Sequence, residues 1–364
     1  MQQKAQSVPI LDLSWTDDST KRRQLLAQLR AALFDVGFLY ISNHGVKPNT
    51  VSKLADRLPS LFGLPVEEKA RLSKLNSPHF LGYSGFAEET TLGKQDQREQ
   101  FDFATELPIV GREPETLRKG EHRDYTQLYW RLRGPNQWPQ EHLLASFRTA
   151  LTDYHDAVAE LAKRFVHLIE EAFEIPIGTY DHLFGAESRS DRDGEVPGIC
   201  ADDVGTSYLP PQHRLKLLRY PPSDDPSGQG VGAHKDSSGW LTFLYQHGTG
   251  PGLEVLSSTG AWIPAPPIPG TFVVNFGNAF EAATEGAVKA TVHRVVSPGP
   301  GDDVRYSIPF FMGLPLDMTV RYDACEKLQT HRLKTRSLHS LIQDGITWVK
   351  VNSGNGFEVT KMLD

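Results

Sequence analysis

Between about residue 214 and residue 320 the chain breaks into short β-prone runs closed by glycine and proline clusters. Trp240-Leu241-Thr242-Phe243-Leu244-Tyr245 and Thr271-Phe272-Val273-Val274-Asn275-Phe276 are two of them. This pattern limits the region to short strands and turns, and it dictates where side chains point. In an extended strand, residues i and i+2 share a face. His234 and Asp236 therefore aim together while Lys235 points away. The same rule groups Thr291, His293 and Val295 against Arg294, and Arg305 and Ser307 against Tyr306. Asp236 and His293 are 57 residues apart (293 minus 236), enough chain for several strands and turns, so these groups can meet across a barrel.

Two imidazoles and one carboxylate hold three positions on one face of an iron(II) ion and leave the others open. An arginine and a serine on one strand face can hold a carboxylate beside such a metal. Each piece alone is weak: the chain has 13 histidines, so an H-x-D triplet can arise by chance, and a lone strand histidine such as His293 is more often simply hydrogen-bonded. Their order, strand setting and intervening turns carry the argument together. Two histidines and a carboxylate also suit zinc, so a zinc hydrolase and a binding module without chemistry stand as alternatives. No H-E-x-x-H is present to support a zinc protease.

Gly232-Ala233-His234-Lys235-Asp236, Leu241-Thr242-Phe243-Leu244-Tyr245-Gln246, Gly252-Leu253-Glu254-Val255, Val273-Val274-Asn275-Phe276-Gly277-Asn278, Lys289-Ala290-Thr291-Val292-His293-Arg294-Val295 and Arg305-Tyr306-Ser307-Ile308 follow one another in order. Together they resemble the core of the iron(II)/2-oxoglutarate-dependent dioxygenases of the isopenicillin N synthase-like group. Val8-Pro9-Ile10-Leu11-Asp12-Leu13, the run from Gly37 to Val46 and Leu64-Pro65-Val66-Glu67-Glu68-Lys69 look like that group's amino-terminal region. Gly134-Pro135-Asn136-Gln137-Trp138-Pro139 looks most like fungal and bacterial members. The resemblance spans roughly residues 8 to 320.

The resemblance implies a mainly β protein with flanking helices and a double-stranded β-helix (jelly-roll, cupin-like) core. It implies Fe(II), with His234, Asp236 and His293 as its ligands, and 2-oxoglutarate and O2 as co-substrates, with ascorbate as a supporting reductant. Arg305 and Ser307 match the pair that holds the distal carboxylate of 2-oxoglutarate, and Tyr220 matches a tyrosine that bonds the same group. The implied reaction oxidises an unactivated C–H bond of a small molecule by hydroxylation, desaturation or ring formation, in natural-product biosynthesis, as 2-oxoglutarate loses CO2 to become succinate. Oxidases of the same fold that do without 2-oxoglutarate are the alternative. The chain departs from many plant members at Leu218, where they carry asparagine, and at Asn278, where they carry aspartate. Tyr83, Phe103, Phe280 and Phe311 are candidate substrate-pocket walls, each weighed against an ordinary place in the core.

A net charge of −7 gives no basic footprint for nucleic acid. Two cysteines make no disulfide framework, and no apolar run is long enough to span a membrane, so the expected setting is cytoplasmic and the expected state a monomer or homodimer. Helical spacing predicts helices over 18–35, 49–63 and 140–175, with Leu144, Phe147, Leu151, Tyr154, Val158, Leu161, Phe165 and Leu168 on one stripe of the last. Gly37 is expected to stop the first, with a strand Phe38–Ser42 after it. Residues 76–125 read as polar and turn-rich. The organisation expected is one compact unit: an amino-terminal region 1–140, a helical support 141–209, the β-helix core 210–320, and a tail 321–364 carrying a helix over 323–343, a strand over 346–351 and a possible lid role.

Overall fold

A computed structural model describes residues 7–110, 124–184, 210–224, 228–237, 239–284 and 286–316. The strands are β1 (Ile10–Asp12), β2 (Phe38–Ser42), β3 (Gly82–Ser84), β4 (Thr90–Thr91), β5 (Lys94–Gln95), β6 (Glu99–Ala104), β7 (Arg214–Tyr220), β8 (Gln229–His234), β9 (Leu241–His247), β10 (Leu253–Leu256), β11 (Trp262–Pro264), β12 (Thr271–Phe276), β13 (His293–Val296) and β14 (Arg305–Met312). The α-helices are α1 (Ser19–Asp35), α2 (Pro48–Ala55), α3 (Leu58–Phe62), α4 (Val66–Arg71), α5 (Phe147–Ala172), α6 (Asp181–Phe184) and α7 (Asn278–Ala283).

An eight-stranded sheet runs β1-β2-β12-β9-β14-β7-β6-β3, and a four-stranded sheet runs β11-β10-β13-β8. Period-two alternation divides the large sheet into two faces. Leu39, Ile41, Leu215, Leu217, Phe243, Phe272, Ile308 and Phe310 join the helices in one core. Phe38, Tyr40, Leu218, Tyr220 and Val273 point the other way and pack with Val231, Leu253, Val255 and Val295 of the small sheet. The two sheets thus enclose an inner core of their own, which is the expected jelly roll with its helices on one outer face.

Helix α5 lies on that outer face, with Phe165 edge-on to Phe243 at 5.8 Å. Asp18 caps α1 by accepting from the Thr20 and Lys21 amides at 2.9 and 3.0 Å. Gly37 closes α1 at φ +69°, and a Cβ there would lie 2.3 Å from Thr291 Oγ1, so glycine is required on two counts.

Three expectations need correction. The helix expected over 49–63 is two helices, because Pro59 cannot donate to a preceding turn and instead sits in the first turn of α3. The helix expected from 140 starts at Phe147, because Ser146 stands at φ +57°, outside right-handed helix. The segment 76–125 is not simply turns: β6 is a six-residue strand with every residue buried. Its helix-side face is Phe101 and Phe103; its other face is Gln100 and Asp102, and polar residues on a buried face conceal a strand from hydrophobic patterning. The helix and strand expected over 323–351 lie outside the described residues. Among the described residues, no helix is long and apolar enough to cross a membrane.

His213, just before β7, is buried and accepts from the Gly313 amide through Nδ1 at 3.1 Å. Burial, with His155 and Lys163 adding to it, pushes its pKa from 6.5 down to about 3. Its folded pKa lies below the unfolded value, so the unfolded chain takes up the proton first as pH falls. The stability this neutral imidazole contributes is full above pH 6.5 and is lost as pH drops toward about 3. Urea midpoints measured from pH 7 to pH 4 are expected to fall less steeply in His213→Gln than in the parent protein. An identical slope in both would show that His213 does not carry this dependence.

Candidate active site

Strands β8 and β13 pair antiparallel with His234 directly opposite His293. This register sets the two rings side by side, with centroids 4.3 Å apart. Asp236 follows β8 and turns its Oδ1 toward both, 3.9 Å from His234 Nε2 and 3.6 Å from His293 Nε2. One donor atom from each residue lies within 4.8 Å of the others.

The neighbours fix which atoms are presented. His234 Nδ1 is 2.7 Å from the Gly232 carbonyl, and His293 Nδ1 is 3.1 Å from the Thr291 carbonyl. A carbonyl only accepts, so each Nδ1 carries the proton and each Nε2 keeps a free lone pair. Asp236 Oδ2 accepts from Thr242 Oγ1 and Asn275 Nδ2, both at 2.6 Å, which leaves Oδ1 to face the imidazoles. Asn278 donates its backbone amide to the Asp236 carbonyl at 3.0 Å. Burial pushes the His234 pKa down to about 3, helped by His293, so the ring is a neutral donor. Burial opposes the Asp236 carboxylate, but His293, His234 and the bonds from Thr242 and Asn275 outweigh it and hold the pKa below the ordinary value. Two imidazole nitrogens and one carboxylate oxygen form a donor set that fits a divalent first-row ion.

Along the same inner face, β14 pairs with β7 so that Arg305 stands opposite Tyr220 and Ser307 opposite Leu218. Arg305 and Ser307 are each 1% exposed. The guanidinium lies 4.9 Å from the Tyr220 ring centre, donates to Gln246 Oε1 at 2.9 Å and reaches Ser307 Oγ only at 3.4 Å. Its Nε has no partner, and among the described residues no carboxylate oxygen lies within 4.0 Å of it. Burial lowers its pKa, against the pull of Tyr220. Gly252 leaves room for this side chain: a Cβ there would stand 3.3 Å from Arg305 Cδ and 2.8 Å from the Val296 carbonyl. A buried cation without a counter-ion is costly, and its unfilled donor positions fit a ligand carboxylate.

The structure brings His234, Asp236 and His293 together, and Arg305, Ser307 and Tyr220 together. Phe311, two pleats beyond Ser307, shares their face and is partly exposed. The other three candidate pocket walls face the helices. Tyr83 donates its hydroxyl to Glu99 at 2.6 Å and packs on Phe101, Phe103 sits between Trp138 and Phe147, and Phe280 meets Trp240 edge-on at 5.0 Å. Thr242, Asn275 and Gln246 are supporting residues that the sequence reading missed. The signal was present: Thr242 and Gln246 are polar positions at even spacing among the apolar and aromatic residues that precede His247 in β9.

Comparison with known proteins places residues 8–141 in a family described as the non-haem dioxygenase in morphine synthesis N-terminal region. Residues 211–314 match the 2OG-Fe(II) oxygenase superfamily. The chain is 35% identical over 345 residues to the 2-oxoglutarate-dependent dioxygenase frbJ of Dothideomycetidae sp. (strain 11243), covering 93% of this chain and 83% of that one. It is 27% identical over 336 residues to the homoarginine-6-hydroxylase 2-ODD-C23.1 of Arabidopsis thaliana, covering 88% and 89%. A full-length Neurospora crassa protein, solved in complex with alpha-KG and 5-formyluracil, superposes with a TM-score of 0.66 at 24% identity, covering 90% of this chain and 91% of that one, and so shares the fold.

Proposed function

The chain belongs to the 2OG-Fe(II) oxygenase superfamily, an Fe(II)- and 2-oxoglutarate-dependent dioxygenase, and from that premise we propose that it hydroxylates an unactivated C–H bond of a small molecule. The observation that carries the co-substrate half of this reading is Arg305, a buried guanidinium with no carboxylate partner among the described residues. Membership in the family sets aside the zinc-hydrolase and non-catalytic readings.

His234, Asp236 and His293 would hold the iron, and Arg305 with Ser307 and Tyr220 would hold the distal carboxylate of 2-oxoglutarate. When bound, iron supplies the oxygen-activating chemistry that is coupled to loss of CO2 from the co-substrate. The protein's part is orientation and exclusion of side reactions. The Gly232 and Thr291 carbonyls hold the imidazoles in one tautomer, and Thr242 and Asn275 hold the carboxylate in one rotamer. Gln246 orients the Arg305 fork, and the Tyr220 ring lies against the guanidinium. Phe38, edge-on to the His293 ring at 5.1 Å, closes one side of the site with an apolar surface.

Hydroxylation is preferred over desaturation or ring closure because a relative aligned over most of its length is named as a hydroxylase. The proposed setting, biosynthesis of a small natural product, rests on the fungal and bacterial character of residues 134–139. The test is an anaerobic titration of metal-free protein with Fe(II) and then 2-oxoglutarate, followed by visible absorption. A weak charge-transfer band that is absent in His234→Ala is the expected result. Iron binding without any band would instead favour an oxidase in which Arg305 anchors the substrate itself.

A further inference from the structure

Most strands of the large sheet turn apolar or co-substrate-facing residues inward, but β6 and β7 also turn charge inward. Asp102 and Lys216 stand opposite each other in the β6–β7 pairing. Asp102 is 3% exposed overall, and the Lys216 side chain is 17% exposed, so neither is in open solvent. Yet they do not form a tight pair: Lys216 Nζ and Asp102 Oδ1 are 3.8 Å apart, too far for a hydrogen bond. Gln100, one pleat along, donates to Asp102 Oδ2 at 2.8 Å, while its own Oε1 is buried without any partner.

The neighbouring charges are already committed. Arg98 faces Asp96 at 3.2 Å, and Arg214 donates to the His79 and Leu132 carbonyls at 3.2 and 3.0 Å. Glu89, whose carboxyl Lys216 helps to hold below its ordinary pKa, is bonded to Lys74. The Lys216 ammonium makes no side-chain hydrogen bond among the described residues; it faces only the 3.8 Å contact to Asp102, whereas Arg98 sits 3.2 Å from Asp96 and Arg214 is bonded to two carbonyls. This set lies on the face that carries the site: Leu218, the next inward residue after Lys216, is opposite both Gln100 and Ser307, and Arg214, the inward residue before it, is opposite Phe311. A loose ion pair without a hydrogen bond, next to an unpartnered amide oxygen, leaves donor and acceptor positions that a ligand can complete.

Building on the oxygenase reading above, we propose that Lys216 and Asp102 anchor the substrate, which is a small zwitterion of the amino-acid class. Lys216 receives its carboxylate, Asp102 and Gln100 Oε1 receive its ammonium, and Phe311 forms an apolar wall beside them. A zwitterion satisfies both charges at once, which a neutral aromatic or a simple acid does not. It would also leave Arg305 to 2-oxoglutarate, so that two carboxylates enter one site without competing for one cation.

The test uses the anaerobic protein loaded with Fe(II) and 2-oxoglutarate. The probes are the standard L-amino acids together with L-homoarginine, and indole as a neutral control; binding is followed by the change in the visible band. At least one free amino acid is expected to bind, and indole is not. The methyl ester and the N-acetyl derivative of that amino acid should each bind roughly ten- to a hundredfold more weakly, as expected for loss of a charge-assisted bond. Lys216→Met and Asp102→Asn should weaken the free amino acid similarly while 2-oxoglutarate still gives its band at the parent concentration, and Lys216→Arg should retain binding. The proposal is overturned if no amino acid binds, if Lys216→Met binds it as the parent does, or if Lys216→Met loses affinity for 2-oxoglutarate instead. A parent protein that shows no band at all marks failure of the oxygenase reading, a result distinct from these.

Discussion

Asp236→Ala is expected to lose more than about 100-fold in turnover while remaining folded, since residues that merely support metal ligands already cost about 10–100-fold. The carboxylate is the one anionic donor in the set, and its Oδ1 is the atom within 3.6 and 3.9 Å of both imidazole nitrogens. Without it, only the two imidazoles remain. The structural cost is smaller. Thr242 and Asn275 lose their shared acceptor, at about 1–3 kcal/mol for each buried group left unsatisfied. That is tolerable against a typical domain stability of about 5–15 kcal/mol. The measurement is iron content after anaerobic loading, together with succinate formation and a far-ultraviolet spectrum to confirm folding. Parent-like iron binding in Asp236→Ala would remove this residue from the ligand set.

Arg305→Met carries the second large effect, and its two parts have opposite signs. In the free protein Arg305 is a buried cation with no counter-ion among the described residues. Burial also lowers its pKa, the mark of a charge held less comfortably in the fold than in water. Methionine keeps an apolar contact with the Tyr220 ring and removes the charge. Replacing a buried ion by an apolar residue of similar length is often neutral or stabilising, so the melting temperature without ligands should hold or rise. Binding of 2-oxoglutarate should fall by roughly a hundredfold or more, because each hydrogen bond to a charged group contributes about 1.5–3 kcal/mol and Arg305 can offer two. Thermal melts of Mn(II)-loaded protein with and without 2-oxoglutarate report both quantities, since a ligand bound to the native state raises its stability. A variant that melts earlier yet keeps the full 2-oxoglutarate shift would make Arg305 a structural cation.

The pairs His234–Asp236 and Arg305–Ser307 were legible because each is a local pattern, whereas His293 joins the first pair only through the register of β13 on β8. Two residues at i and i+2 share a face wherever the backbone is extended, whatever the rest of the fold does. Helices α1 and α5 were legible because Leu25, Leu29 and Leu33, or Leu151, Tyr154, Val158 and Leu161, repeat at helical spacing and are buried. What the sequence could not supply is which face of a strand looks inward. Phe103 and Asp102 are adjacent, and only the pairing of β6 with β7 assigns Asp102 to the ligand side and Phe103 to the helices. A choice guided by apolar character therefore selects the wrong face when the site itself is polar. Thr242 and Gln246 stand out as polar positions in β9, but which partners they and Asn275 serve depends on contacts to other elements that the sequence does not specify.

Strand β2 is held on one side by β1 and on the other by β12, with Phe38 opposite Asn275 and Ser42 opposite Thr271. During synthesis, the amino-terminal strand is thus complete long before its partner exists. Until residue 276 has left the ribosome, β2 presents an apolar strand with an open edge, the condition in which chains pair with one another. Contacts of such wide sequence separation also slow closure of the sheet. The amino-terminal region cannot mature ahead of the rest, and the yield of native protein should depend on how well the early strands are shielded while the later ones are made.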